Sequence, residues 1–133
     1  MSTTAHTLLR YPETLAVVKL GPGAEIPSWA ESSSVFSVTA TATETTLVCA
    51  GRNVPAKARH QKPWTAFLLD GAFAFDESGI LATVLAPLAE EGIGVFVLST
   101  FDSDWVLVAT ERADAAEEAW RRSGHVVAPA VPA

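Results

Sequence analysis

The stretch "GILATVLAPLAEEGIGVFVLSTFDSDWVLVA", Gly79 to Ala109, decides how this chain is read. Ile80, Leu81, Val84, Leu85 and Leu88 recur at helical spacing, Ser78 stands before them as a side-chain cap, and Gly92 suits a left-handed stop. Pro87 is the awkward member, because a proline inside a helix removes a backbone donor at a cost of about 3 kcal/mol unless packing gives something back. Past Gly94, "GVFVLST" reads as a strand whose near-continuous apolarity predicts burial on both faces. "FDSD" then reads as its turn and "WVLVAT" as the return strand.

Outward from there, Thr110 is placed to cap a second helix, "ERADAAEEAWRRSG", in which Glu117 and Arg121 stand four apart and Gly124 ends the run. "HVVA" follows as a short last strand, with a frayed Ala/Pro/Val tail, and "WTAFLLD" supplies a strand before the first helix. The order β-α-β-β-α-β predicts an α+β chain on the ferredoxin-like plan.

The first half is read by internal comparison. At an offset of sixty, "VFSVTATATETTLV" (Val35 to Val48) falls without gaps on "VFVLSTFDSDWVLV" (Val95 to Val108). Val, Phe, Leu and Val are identical at the two ends, Thr39 meets Ser99, and Glu44 meets Asp104. We read two copies of one unit in tandem, sharing or adjoining antiparallel sheets, since neither alone buries a sufficient core. Residues 1–62 form the first, shortened unit with a basic connecting loop, and residues 63–133 the second, complete one. In the first, "LAVVKL" and "TTLVCA" read as strands and "PSWAES" as a short turn of helix.

Composition narrows the function. With 133 residues, 49% hydrophobic and 18% charged, the chain is globular, and no apolar run approaches the roughly 20 residues of a membrane helix. The start has no charged segment leading into an apolar one, so no secretory signal is expected and the expected compartment is the cytoplasm. A net charge of -6 argues against a nucleic-acid partner. Arg52, Lys57, Arg59 and Lys62 do cluster, in a proline-bounded segment that reads as a solvated loop. Cys49, the single cysteine, reads as a buried hydrophobe. His6, His60 and His125 lack zinc-ligand spacing and read as surface or turn residues, so neither metal nor cofactor is expected. Asp70, Asp76 and Glu77 have no nucleophile beside them and read as loop carboxylates, which argues against an enzyme.

Gly79-Ile80, Ala86-Pro87-Leu88-Ala89, Gly92-Ile93, Phe96, Ser99-Thr100-Phe101, Asp104 and Leu107-Val108 together resemble the ACT domain, and in particular the small tandem-ACT proteins related to the CASTOR arginine sensors. The resemblance runs over roughly residues 13 to 125. It implies a regulatory, amino-acid-binding protein whose ligand lies at an interface between ACT units. The positions that match the family's ligand contacts are Ser78, Gly79, Ile80 and Leu81 at the helix start, and Ser99, Thr100, Phe101 and Asp104 at the strand tip. This chain departs from the animal sensors in having two units instead of four and no recognisable effector domain.

The same residues make a chemical case. Backbone N–H groups of Gly79, Ile80 and Leu81 at a helix start suit a carboxylate, Asp104 suits an ammonium or guanidinium, and Phe101 can cover an aliphatic stem. An anion-binding end and a cation-binding end suit a zwitterion. The opposing reading makes Asp102 and Asp104 turn formers that bond their own backbone. The expected partners are an amino acid or similar zwitterion, a second copy in a homodimer, and an unidentified effector protein. The alternative is an ACT assembly module without ligand binding.

Overall fold

β1 (Thr7–Leu20) is 14 residues long and changes partners along its length. After it come β2 (Ser37–Ala40), β3 (Thr45–Ala50), β4 (His60–Asp70), α1 (Ile80–Glu90), β5 (Phe96–Ser99), β6 (Asp104–Ala109), α2 (Ala113–Arg122) and β7 (Val126–Pro129). The computed structural model describes residues 5–71 and 78–130. Two compact units divide the chain, a larger one of Met1–Pro12 with Ala66–Ala133 and a smaller one of Glu13–Thr65.

In the larger unit the order from β4 to β7 is the expected β-α-β-β-α-β. Its last strand does not lie on β4. β7 pairs in parallel with the start of β1, Thr7 opposite Val126 and Arg10 opposite Pro129, while β4 has β1 and β6 as neighbours. α1 buries Val84, Pro87 and Leu88, and α2 buries Ala113, Ala116, Ala119 and Trp120. Of these, all but Pro87 meet Leu8, Phe67, Leu69, Val106 and Val108 in one core. The three alanines let α2 approach closely, and Trp120 fills the space, edge-on to Phe67 at 4.8 Å, with its Nε1 donating to the Val84 carbonyl at 2.8 Å. The opposite side of α2 carries charge. Glu117 pairs with Arg121 at 3.0 Å, as the spacing predicts, and with Arg10 of β1, which also reaches Asp114 at 2.9 Å.

Several sequence expectations change. β5 is a half-buried edge strand ending in exposed Ser99, and burial on both faces belongs to its neighbour β6, where Trp105 to Val108 are all buried. Ser78 does not cap α1. The N-cap is Gly79 at φ 83°, a left-handed conformation that favours glycine. α2 is preceded by a 3₁₀ turn at Thr110–Arg112 and begins without a side-chain cap hydrogen bond. Gly92 and Gly124, at φ 69° and 90°, do follow the helices as left-handed stops. His60 to Lys62, read as loop, start β4.

In the smaller unit β3 lies between β2 and β1. Ala16 opposite Cys49 and Val18 opposite Leu47 form its core with Val54, and Trp29 packs against them. Cys49 is fully buried, and burial, with the nearby Glu13 charge, pushes its thiol pKa up, as expected of an inert thiol. "PSWAES" forms a turn and no helix. The β2–β3 and β5–β6 hairpins each span a four-residue turn, and their registers coincide at a shift of fifty-nine residues, Ser37 to Phe96 and Thr45 to Asp104. The identity-based offset of sixty is therefore one residue out, which exchanges the two faces of a strand. Leu47 and Cys49 face the smaller core as Val106 and Val108 face the larger one.

Pro87 sits inside α1, where it deprives the Thr83 carbonyl of its donor four residues on. That carbonyl engages the ring of His125, which is buried and stacked on His6 at 5.8 Å. The backbone N–H of His6 donates to His125 Nδ1 at 3.0 Å, so Nδ1 carries no proton and the ring is neutral. His125 thus answers two backbone groups, one of them orphaned by Pro87. His125→Ala is expected to cost roughly 2 to 4 kcal/mol, since each buried polar group left unmet costs about 1–3 kcal/mol. In a Pro87→Ala background, where the backbone N–H regained at that position takes back the Thr83 carbonyl, that cost should fall by about 1 kcal/mol or more. Urea denaturation of the four proteins measures the coupling; strictly additive costs would exclude it.

The same ring gives a pH dependence. Burial, then the neighbouring His6, lowers the His125 pKa, against the Thr83 carbonyl, which raises it. In the unfolded chain a histidine takes its proton near pH 6.5, whereas the folded ring resists until lower pH. The unfolded state then binds more protons, so stability is full above about pH 6.5 and falls as pH drops through the depressed folded value. The urea midpoint should decline from pH 7 to 5. His125→Gln, weaker at pH 7, should show a flatter profile over that interval.

Candidate functional site

The residues singled out by sequence fall into two groups, both in the larger unit. At the start of α1, Ser78 and Gly79 are exposed and Ile80 and Leu81 half-buried. The Gly79 carbonyl accepts from the Thr83 backbone N–H at 3.0 Å and from Thr83 Oγ1 at 2.9 Å, so the first turn is tied from within. Because the cap is a glycine, no side chain of the cap competes for the leading N–H groups, which with the helix dipole favour an anion. Asp76 and Glu77 lie outside the described residues.

The second group is the tip of the β5–β6 hairpin. Ser99 pairs with Asp104 in register, and its hydroxyl donates to Asp104 Oδ1 at 2.5 Å. The Thr100 N–H donates to the Ser103 carbonyl at 2.7 Å, and the Thr100 and Ser103 hydroxyls are hydrogen-bonded to each other. Ser103 Oγ in turn accepts from Trp105 Nε1 at 3.0 Å. Phe101 is 78% exposed at the apex. The structure therefore brings Ser99 to Asp104 and Thr100 to Ser103, and the hydrogen bonds just named stay within each group's own turn. Asp104 does serve the turn, through the Ser99 side chain and not through its own backbone. Its carboxylate is oriented by that bond.

Sequence reading missed a cleft of about 260 Å³ lined by Thr83, Ala86, Pro87, Glu90, Ser123 and His125. His125 Nδ1 already accepts from the His6 N–H and so is not open to a ligand in this cleft. Proline at helical register was the one available signal. Among the described residues no cluster of histidine, cysteine and carboxylate side chains could hold a metal ion, and no helix is long and apolar enough to cross a membrane.

Comparison with known proteins gives this geometry a context. Residues 59–122, which include α1 and the hairpin, match the ACT domain, and residues 13–57 match a family described as an N-terminal domain. None of the curated proteins matches the sequence. Among solved structures, protein Atu0741 from Agrobacterium tumefaciens superposes with a TM-score of 0.89 at 32% identity, covering 98% of this chain and 97% of that one. Two others are similar in fold. The regulatory subunit of aspartate kinase from Thermus flavus has a TM-score of 0.60 at 10% identity, over 92% of this chain and 99% of that one. The aspartate kinase of Clostridium acetobutylicum has a TM-score of 0.62 at 10% identity, over 87% of this chain and 33% of that much longer one. With that identity and near-complete mutual coverage, the chain belongs to the same family as Atu0741, and its residues 59–122 match the ACT domain.

Proposed function

We propose that this is a non-enzymatic regulatory protein of the cytoplasm that binds an amino acid or similar zwitterion through its ACT unit. The ligand carboxylate lies on the N–H groups at Gly79, Ile80 and Leu81, beside Ser78. Its cationic group lies on Asp104, with Ser99, Thr100 and Phe101 around it. ACT domains are typically regulatory small-molecule-binding domains, and the match over 59–122 takes in both groups. The observation that carries the reading is the start of α1, where a left-handed glycine cap leaves the dipole end without a capping side chain. We also propose a tandem-ACT, CASTOR-like arrangement and a homodimer that relays binding to an effector protein.

One observation favours a second reading, an ACT assembly module without a ligand. The tip satisfies itself through the Ser99–Asp104 and Thr100–Ser103 hydrogen bonds, as a hairpin with only a turn to make would do.

A thermal-shift screen of the twenty amino acids separates the two, because a ligand at a hundred times its Kd adds about 2.7 kcal/mol. If no amino acid raises the melting temperature, the assembly reading stands. With a ligand in hand, Asp104→Asn removes a charge-assisted bond of about 1.5 to 3 kcal/mol while an amide oxygen can still accept from Ser99. Affinity measured by titration calorimetry should fall roughly ten- to a hundredfold, with stability changed by less than about 0.5 kcal/mol. Unchanged affinity would remove Asp104 from the site.

A further inference from the structure

The smaller unit holds a carboxylate in a way that exceeds what the fold asks of an ion pair. Glu13 lies in β1, with its side chain only 8% exposed. Its Oε1 accepts from Ser32 Oγ at 2.6 Å, Ser34 Oγ at 2.6 Å, and the backbone N–H groups of Ser33 and Ser34 at 3.2 and 3.1 Å. Its Oε2 accepts from Ser33 Oγ at 2.9 Å, the Ser33 N–H at 3.2 Å and Arg52 Nη1 at 2.7 Å. Six donor groups thus converge on two oxygens that together offer about four lone-pair sites. The donors come from a single loop and one arginine, and the loop braces itself: Ser32 Oγ accepts from the N–H groups of Ser34 and Val35, both at 3.1 Å. Arg52 is steadied from the other side by Glu31 at 3.4 Å.

Such an array of consecutive backbone N–H groups, hydroxyls and a guanidinium is how proteins bind free carboxylates and other oxyanions. Its electrostatic effect is plain in Glu13 itself. Burial opposes ionisation, yet the hydrogen bonds from Ser32, Ser34 and Arg52 outweigh it and hold the carboxyl well below its usual range. Arg52 was read from sequence as one member of a solvated basic loop.

We infer that the Ser32–Ser34 loop and Arg52 form a carboxylate receptor in which Glu13 is a tethered occupant, so that removal of the Glu13 side chain leaves a site for a small free carboxylate. The receptor lies outside residues 59–122 and does not depend on the function proposed above. Ser32 Oγ holds the Ser34 and Val35 N–H groups independently of Glu13, and Arg52 keeps its contact with Glu31, so the vacated site keeps the frame of its donor set.

Acetate is the probe, at pH 7.5 where it is ionised, with sodium chloride at matched ionic strength as reference. Glu13→Ala should melt several degrees below the natural protein, and acetate should raise its melting temperature saturably, with half-effect in the millimolar range. Glu13→Gln fills the same space with an amide and should show no acetate response, as should the natural protein. In Glu13→Ala/Arg52→Ala the half-effect concentration should rise at least fivefold. A response to acetate no larger than to chloride would overturn the inference, and so would an equal response in Glu13→Gln. If Glu13→Ala is unfolded alone, folding on addition of acetate, followed by circular dichroism, supports the receptor. A chain that stays unfolded at every acetate concentration counts against it.

Discussion

A single strand has to satisfy two sets of partners. β1 gives its first residues, Thr7 to Arg10, to β7 in parallel and its last, Leu15 to Leu20, to β3 in antiparallel pairing. Between them lie Pro12, which has no N–H to pair, and Glu13. The exchange of partners falls where the backbone has least to offer a ladder, and there the chain is fastened by a side chain. Glu13 is gripped by the Ser32–Ser34 loop and Arg52. Further toward the start of β1, Arg10 reaches Asp114 and Glu117 of α2, and the His6 N–H engages His125 just before β7. The strand is thus held by specific polar contacts wherever its backbone pairing changes or begins.

What could be read from sequence was what lies close in sequence. The helical spacing at Ile80 to Leu88, the glycine stops at Gly92 and Gly124, and the Glu117–Arg121 pair each rest on residues within a few positions of one another. What escaped was distant or a matter of parity. His6 meets His125 across 119 positions, and Glu13 meets its serines across about twenty, separations that no local pattern announces. The hairpin offset failed for another reason. Identities are counted without regard to which face a residue points to, so sixty scored better than the fifty-nine that the two registers share. β5 misled because an apolar edge strand and an apolar central strand share one composition, and only the neighbours of the strand distinguish them.

Pro87 and His125 show how a local penalty becomes a tertiary bond. Read alone, the proline predicts a broken or shortened helix, yet α1 runs 11 residues through it. The carbonyl it orphans engages a neutral imidazole whose other nitrogen accepts from His6, just before β1. The role toward His6 requires His125 uncharged, because protonation converts the acceptor for the His6 N–H into a second donor and that bond is lost, whereas the contact with the Thr83 carbonyl survives. A residue that looked like a surface histidine couples the helix, the first strand and the last.

The ligand site proposed above would combine one committed half and one uncommitted half. At the tip, Ser99 already donates to Asp104, so the carboxylate is presented in one orientation and a cationic ligand group need not pay to order it. At the α1 start, the glycine cap brings no competing side chain, and the incoming carboxylate would meet backbone donors and the dipole alone. A ligand with only a cation would have to share Asp104 with Ser99 in water, where such pairs contribute little. A zwitterion adds the helix-end contact, worth about 0.3 to 1 kcal/mol when exposed and up to about 2 when partly buried. In the proposed site, discrimination in favour of zwitterions would rest on the conformation of Gly79 as much as on the charge of Asp104. Any residue with a Cβ at Gly79 would be strained at φ 83°, so on the proposed reading it would weaken selection for the carboxylate before it weakened the turn that holds Asp104.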